Sequence, residues 1–294
     1  MPRPLHEALW HWYSEFDAEA LVAAYAGAGQ TPEPGIIRNF LGTRIEPLVY
    51  PPVLTRMAGT VEGPPAPGNW HADIAEWGAA LRSVDLARGS YRIVELGCGW
   101  GCWITNMGVA ARSRGLTLDL VGVEGDAAHL DHARQTLALN GLAPDSYRLI
   151  HGIAAARPGR AIFPKSDGSG WGNAAVFDAD AATLARAAAD PTVQVLDCVT
   201  LARAAGGGAI DLLHIDIQGA EADFVAGNLD QMAAHVRRVL IGTHSRSIEG
   251  RLMDLFLNAG WRIEMERPAI APLLDGRPEI RIDGVQMWAN PGLT

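Results

Sequence analysis

Lysine is almost absent from this 294-residue chain, since Lys165 is the single lysine among 24 basic residues. The arginines that replace it are scattered, which indicates codon bias more than an arginine-based site. Acidic residues outnumber basic ones, with a formal net charge of −9 and a pI near 5.4. An acidic surface disfavours non-specific binding to nucleic acid or to an anionic membrane. We therefore expect no nucleic-acid partner.

Cysteine is also scarce: the chain has Cys98, Cys102 and Cys198 and no C-x-x-C pair. An odd, low count argues against a disulfide framework and is typical of a reducing compartment. Without a C-x-x-C pair, a structural zinc site is not predicted either.

Long apolar runs are missing. The longest, such as Leu21 to Ala26, fall far short of the roughly 18–20 residues that a membrane helix needs. The N-terminus begins Met-Pro-Arg-Pro, and no apolar stretch typical of a signal peptide follows. The expectation is a cytoplasmic protein without a membrane span.

The pattern along the chain predicts two parts. Residues 1–85 are expected to form a mainly helical and loop-rich N-terminal cap, with a helix from Leu5 to Ala28. Prolines punctuate residues 29–69, and a second helix is expected from Trp70 to about Ser83, capped by Asn69. Residues 86–294 are expected to form the functional domain.

From Tyr91 onward, short apolar strands alternate with amphipathic helices, which favours a parallel α/β sheet covered by helices on both faces. Two successive strands at the end suggest an antiparallel hairpin at one edge. Residues 159–200 look irregular. The predicted strands are 91–96, 118–124, 147–151, 210–216, 236–241, 261–266 and 284–289.

The strongest local signal is a glycine loop directly after the first of these strands: Val94-Glu-Leu-Gly97-Cys-Gly99-Trp-Gly101. Glycine permits positive φ angles and close approach of a ligand to the backbone, and a helix N-terminus follows. The second strand ends at Glu124, where a carboxylate can accept both hydroxyls of a ribose. Together these features predict a nucleoside-containing ligand at the carboxyl ends of the strands.

The acidic opening of the loop narrows the choice of ligand. Glu95 is unfavourable beside a pyrophosphate but suits a cofactor that carries positive charge. The dinucleotide pattern G-x-G-x-x-G is absent, because Gly97 and Gly99 are followed by Gly101 and then by cysteine.

These segments resemble motifs I and II of the class I S-adenosylmethionine-dependent methyltransferases. The resemblance implies a Rossmann-like, seven-stranded sheet whose last strand is antiparallel, with S-adenosylmethionine as the cofactor. It also implies that the methionine part lies along the glycine loop, that Glu124 takes the ribose and that the residues after the third strand border the adenine. The implied cofactor-binding residues are Glu95, Gly97, Gly99, Trp100, Gly101, Glu124, Gly125, Ile153 and Asp216.

A further segment, Asp211-Leu-Leu-His-Ile-Asp216-Ile-Gln-Gly-Ala-Glu221, resembles the signature of FkbM-type methyltransferases. That signature reads Lys-Ile-Asp-Val-Glu-Gly-Ala-Glu, so His214 and Gln218 depart from it. With the glycine loop, the resemblance spans about residues 91–289. Residues 1–85 carry no motif of the family.

Asp216 ends a buried strand and is the first candidate catalytic residue. Its carboxylate could orient the acceptor, accept its proton or hold a divalent cation, or it could cap the next helix. His214 points to the same face of the strand. His244 follows the neighbouring strand and could act as a general base with Asp216, or both could ligate a metal. Glu221 could contact substrate, or cap or brace the loop; no metal site is predicted.

On the acceptor side, Trp171 and Asn173 lie in the irregular segment and are candidate substrate-binding residues. The resulting prediction is O-methylation of a hydroxyl on a sugar, glycan precursor or secondary metabolite. N-methylation of a peptide or small-molecule amide or amine stays open. Two alternatives of another class also stay open: a nucleotide-binding oxidoreductase and a non-catalytic binding protein. The partner is expected to be a small-molecule or glycan acceptor, and the oligomeric state is left open.

Overall fold

The computed structural model describes residues 12–168 and 170–294. The strands in chain order are β1 (Tyr13–Ser14), β2 (Ile37–Arg38), β3 (Arg44–Ile45), β4 (Ser90–Leu96), β5 (Thr117–Glu124), β6 (Tyr147–His151), β7 (Ile153–Ala154), β8 (Arg160–Pro164), β9 (Val193–Val199), β10 (Leu212–Ile215), β11 (Arg238–Thr243), β12 (Arg262–Arg267), β13 (Leu273–Leu274), β14 (Arg277–Pro278) and β15 (Gly284–Ala289).

The α-helices in chain order are α1 (Ala18–Tyr25), α2 (Pro51–Leu54), α3 (Ile74–Leu86), α4 (Cys102–Ser113), α5 (Ala127–Leu139), α6 (Ala181–Ala189), α7 (Leu201–Ala205), α8 (Glu221–His235) and α9 (Arg246–Asn258). Short 3₁₀ helices lie at Pro47–Val49, Thr55–Met57 and Pro144–Ser146. Within the ranges that the structure describes, none of the helices has the length and apolar character needed to cross a membrane.

The main sheet has eight strands in the described chain, in the order β1-β12-β15-β11-β10-β4-β5-β6. The pairs β11–β10, β10–β4, β4–β5 and β5–β6 are parallel. β15 runs antiparallel to both of its neighbours. The seven-stranded Rossmann-like sheet with an antiparallel last strand is therefore confirmed, and β1 adds one further strand at the edge.

Alternating residues of the strands supply two cores, one on each face of the sheet. Ile93 packs with α3 and α4 on one face, whereas Val94 packs with α8 on the other. This alternation is the period of two that a strand imposes on its side chains. The nearly continuous apolar strands are thus buried on both sides, as the sequence predicts.

The expected hairpin forms, but its position differs from the prediction. β12 and β15 pair antiparallel, yet β15 lies inside the sheet between β11 and β12, and β1 covers the edge of β12. Residues 159–200 are also more regular than predicted. They contain β8, α6 and β9, and β9 forms a small sheet with β7 and β8.

In the N-terminal part, the predicted helix from Leu5 to Ala28 lies partly outside the described residues. Its described part begins with β1, and α1 starts only after Asp17, whose side chain accepts a hydrogen bond from the Ala20 amide. The later helix begins at Ile74 rather than Trp70, because Asp73 is its N-cap. Asn69 instead accepts from the amides of His71 and Ala72 and closes a turn.

The described part of this cap shares a core with the sheet. Trp77 on α3 is buried against Phe40 and against Trp103 on α4. The cap therefore buries its apolar face on the same helix that follows the glycine loop. The division at residues 85 and 86 stays a prediction.

Candidate active site

A cavity of about 500 Å³ lies at the carboxyl ends of β4, β5 and β10. Ligands of doubly wound sheets bind at this edge, because the loops that follow neighbouring strands converge there. Its lining includes the glycine loop at residues 97–100, Glu124 and Asp216. The structure thus brings the segments that carry the family resemblance to one cavity.

The glycine loop needs glycine for two reasons. Gly97, Gly99 and Gly101 have φ angles of 73°, 51° and 77°, a region that other residues rarely adopt. A Cβ atom on Gly97 would also overlap the backbone oxygen of Asp216, and one on Gly99 would come within 2.9 Å of the Trp171 ring. These two glycines line the cavity, and added Cβ atoms would clash with the protein groups that face the glycine loop. Gly101 instead packs against Ala133 of α5.

Glu95 lies at the end of β4 and is 2% exposed. Its carboxylate accepts hydrogen bonds from the amides of Trp103 (3.2 Å) and Ile104 (2.8 Å), at the N-terminus of α4. Burial raises the pKa of this carboxyl to about 7, although these amides and His214 favour the charged form. Glu95 therefore both lines the cavity and holds the helix that follows the loop.

Glu124 at the end of β5 also braces the loop. One of its oxygens accepts from the Gly99 amide and the other from the Asp126 amide, each at 2.8 Å. Burial raises its pKa, against the effect of these two amides. The side chain lines the cavity, so it can also meet a ligand there.

An apolar wall lies beyond Glu124. Gly125 and Ile153 line it as the resemblance implies, and Phe163 and Phe177 complete it. Sequence reasoning missed both phenylalanines, because they lie in the segment that was expected to be irregular. Alternate residues of β8, Ala161 and Phe163, are buried. This alternation is visible in the sequence and could have revealed Phe163.

Asp216, His244 and Glu221 form a compact cluster. His244 Nδ1 lies 2.9 Å from Glu221 Oε1, and Nε2 lies 3.3 Å from Asp216 Oδ1. Burial opposes the charge on His244, but the nearby carboxylates of Asp216 and Glu221 outweigh it and raise its pKa to about 10. For Asp216, burial is likewise outweighed by His244 and by hydrogen bonding to Gln218, which lowers its pKa.

This environment changes the interpretation of His244. A ring with a pKa of about 10 carries a proton at neutral pH and is not a base in this state. Glu221 is completely buried, and its Oε1 also accepts from the amides of Ile217 and Gly219. Glu221 is outside the cavity lining, and in this structure it braces the loop and His244.

His214 lies two residues before Asp216 and also lines the cavity. It is 3% exposed, and neither ring nitrogen has a hydrogen-bond partner among the described residues. Its Nε2 lies 3.9 Å from a Glu76 oxygen. His71 lines the same wall, and burial together with the nearby His214 lowers its pKa to about 4, so this ring stays neutral.

Aromatic side chains form part of the cavity lining. Trp171 is 41% exposed and stacks on His129, with ring centroids 4.2 Å apart. Trp100 is buried and stacks on Trp70, so it is a packing residue as well as part of the wall. Asn173 lines the cavity beside Trp171.

One acidic residue at the cavity was missed altogether. Asp283, just before β15, is part of the lining. Burial raises its pKa, as do the nearby carboxylates of Asp216 and Glu221, although His244 opposes them. The described lining has no lysine or arginine, whereas its acidic members are Glu95, Glu124, Asp126, Asp216 and Asp283.

Comparison with known proteins assigns the chain to a family. No family model matches it. A protein of Jannaschia sp. (strain CCS1), named "Putative methyltransferase", is 52% identical over 265 residues, which cover 90% of this chain and 95% of that protein.

Two solved structures are similar in fold only. Methyltransferase FkbM from Methylobacillus flagellatus KT has a TM-score of 0.48 and 14% identity; the match covers 73% of this chain and 54% of that one, about half its length. The C-terminal domain of precorrin-6Y C5,15-methyltransferase from Rhodobacter capsulatus has a TM-score of 0.41 and 13% identity, covering 76% and 91%. On the strength of its relative at 52% identity, the chain belongs to the methyltransferases.

Proposed function

We propose that this methyltransferase is of the FkbM type and transfers a methyl group from S-adenosylmethionine to a hydroxyl oxygen. The acceptor would be a sugar, a glycan precursor or a secondary metabolite. One observation carries the proposal: a single cavity joins the glycine loop and Glu124 to Asp216. A cofactor on the loop and an acceptor at Asp216 would therefore share one space.

The residues present suit this cofactor. Gly97 and Gly99 line the cavity without side chains, so the backbone of the loop can approach a ligand there. Glu124 can accept the ribose hydroxyls. The wall of Gly125, Ile153, Phe163 and Phe177 suits a flat adenine. The acidic lining, without lysine or arginine among the described residues, suits the cofactor's positive charge.

When bound, S-adenosylmethionine supplies a methyl group on a sulfonium, which is already a good leaving group. The contribution of the chain is then mainly to hold the acceptor close and in line. Asp216 Oδ1 accepts a hydrogen bond from Gln218 Nε2 at 2.9 Å and faces His244. With one oxygen anchored, the other is left to accept a hydrogen bond from the acceptor hydroxyl and to take its proton as the oxygen–methyl bond forms.

The roles of the two histidines follow from their surroundings. Protonated His244 holds the Asp216 carboxylate in place through its charge. His214 lines the cavity, and its ring nitrogens have no hydrogen-bond partner among the described residues, so we propose that it contacts a polar group of either ligand. Trp171 and Asn173, which also line the cavity, are proposed to contact the acceptor, and Trp100 is proposed to border the cofactor.

The experiment is methyl transfer from labelled S-adenosylmethionine to pairs of acceptors that differ only in a hydroxyl or an amine. Sugar and natural-product alcohols are expected to become labelled, with release of S-adenosylhomocysteine. Label on the amines alone would replace O-methylation by the N-methylation alternative. Binding of a nicotinamide cofactor in place of S-adenosylmethionine would favour an oxidoreductase.

A further inference from the structure

The cluster of Asp216, Glu221 and His244 is built from three separate elements. Asp216 follows β10, Glu221 is the first residue of α8 and His244 follows β11. One oxygen or nitrogen atom from each lies within 4.8 Å of the other two. The relative positions of these three atoms are therefore fixed by the fold of the sheet.

Two buried atoms of this cluster lack a hydrogen-bond partner in the described structure: Glu221 Oε2 and His244 Nε2. Glu221 is completely buried. A buried carboxylate oxygen without a partner is costly, because it has lost its hydration and gained no hydrogen bond in return. The cluster as it stands therefore leaves polar groups unsatisfied in its interior.

The donor set has a definite chemistry. Two carboxylates and one imidazole are ligands that divalent cations such as Mn²⁺, Mg²⁺ or Zn²⁺ accept. The carboxylates carry two negative charges, and Asp283 adds a third nearby. A bound cation would offset this charge and replace the proton on one nitrogen of the ring.

We propose that Asp216, Glu221 and His244 form a binding site for one divalent cation at the edge of the cavity. Asp216 Oδ1 and His244 Nε2, 3.3 Å apart, serve as direct ligands. Their spacing is close to the roughly 3 Å expected of adjacent ligands with bonds of about 2.1 Å. Glu221 accepts a hydrogen bond from Nδ1 and orients the ring, as carboxylates behind metal-bound histidines do.

Cation binding does not depend on the proposed function, but its role in the reaction does. Asp216 lines the cavity, so water and an acceptor oxygen can complete the coordination from that side. The cation would then help to hold the acceptor hydroxyl at this edge of the cavity.

The test is titration of the full chain with Mn²⁺, without cofactor or acceptor, followed by calorimetry and by loss of the free Mn²⁺ electron paramagnetic resonance signal. One saturable site is expected. Asp216→Asn and Glu221→Gln should each weaken it about tenfold or more. The control is Asp223→Asn, which removes a 73% exposed carboxylate from the first turn of the same helix, and it should leave the affinity unchanged.

Absence of saturable binding by folded wild-type protein would overturn the proposal. So would equal affinity in Asp216→Asn, a side chain that is partly exposed and whose substitution should leave the fold intact. This variant keeps the test decisive if Glu221→Gln does not fold. Binding of S-adenosylmethionine by the same sample, measured separately, shows whether the cation site alone fails or the proposed function fails too.

Discussion

Replacing Gly97 with alanine is expected to abolish cofactor binding and to lower the free energy of unfolding by about 3 kcal/mol or more. Gly97 has a φ of 73°, and an added Cβ would overlap the backbone oxygen of Asp216. Because the loop after β4 touches the end of β10 there, the clash would separate the two halves of the cavity. Denaturant unfolding and calorimetric titration with S-adenosylmethionine measure the two effects.

The matched control is Gly115→Ala. Gly115 has the same φ of 73°, but nothing lies within 4 Å of its added Cβ. Only the cost of the left-handed backbone, about 1–2 kcal/mol, is expected there, with unchanged cofactor affinity. If the two variants lost equal stability and both bound cofactor normally, the close approach of the glycine loop to Asp216 would be wrong.

Asp216→Asn is expected to lower the rate of methyl transfer by about 100-fold or more, with little change in cofactor affinity. The amide keeps the shape of the side chain but loses the charge that His244 and Gln218 hold in place. It also accepts a hydrogen bond from the acceptor hydroxyl less strongly. Single-turnover transfer of labelled methyl, together with calorimetry of cofactor binding, separates the two steps.

Asp223→Asn again serves as the control, because it lies on the surface of the helix that follows Asp216. Its transfer rate should equal that of the wild type. A rate for Asp216→Asn within about threefold of the wild type would remove Asp216 from the catalytic machinery, since such a change is under 1 kcal/mol.

Much of the parallel sheet was predictable from the sequence, since apolar strands buried on both faces leave a strong pattern. The ends of β6 and β15 agree with the predicted bounds, residue for residue. The position of β15 inside the sheet is different, because strand order depends on contacts distant in sequence. The hairpin was therefore predicted, and its place in the sheet was not.

The candidate site divides in a similar way. Gly97 and Asp216 directly follow strands and Glu124 ends one, and these positions, together with their motifs, revealed them in the sequence. Phe177 and Asp283 reach the cavity from loops, where no periodicity marks them. Their contribution depends on tertiary placement that a single sequence does not reveal.

The charge state of His244 illustrates the same limit in electrostatics. An isolated histidine titrates near neutral pH, which made it a candidate base. Its two carboxylate partners come from the end of β10 and the start of α8, and together they raise its pKa to about 10.

The start of α3 shows a similar limit for helix boundaries. Asn69 and Asp73 are both good N-caps, and only the structure shows that Asp73 is used.

The most direct test of the central claim is calorimetric titration of the purified protein with S-adenosylmethionine and, separately, with S-adenosylhomocysteine. One site of micromolar affinity is expected for each. Glu124→Ala should weaken both about tenfold or more, because it removes the carboxylate that braces Gly99 and that is proposed to bind the ribose. Glu19→Ala, an exposed acidic residue on α1, is the control and should bind as the wild type does. Failure of a folded sample to bind either compound would contradict the account.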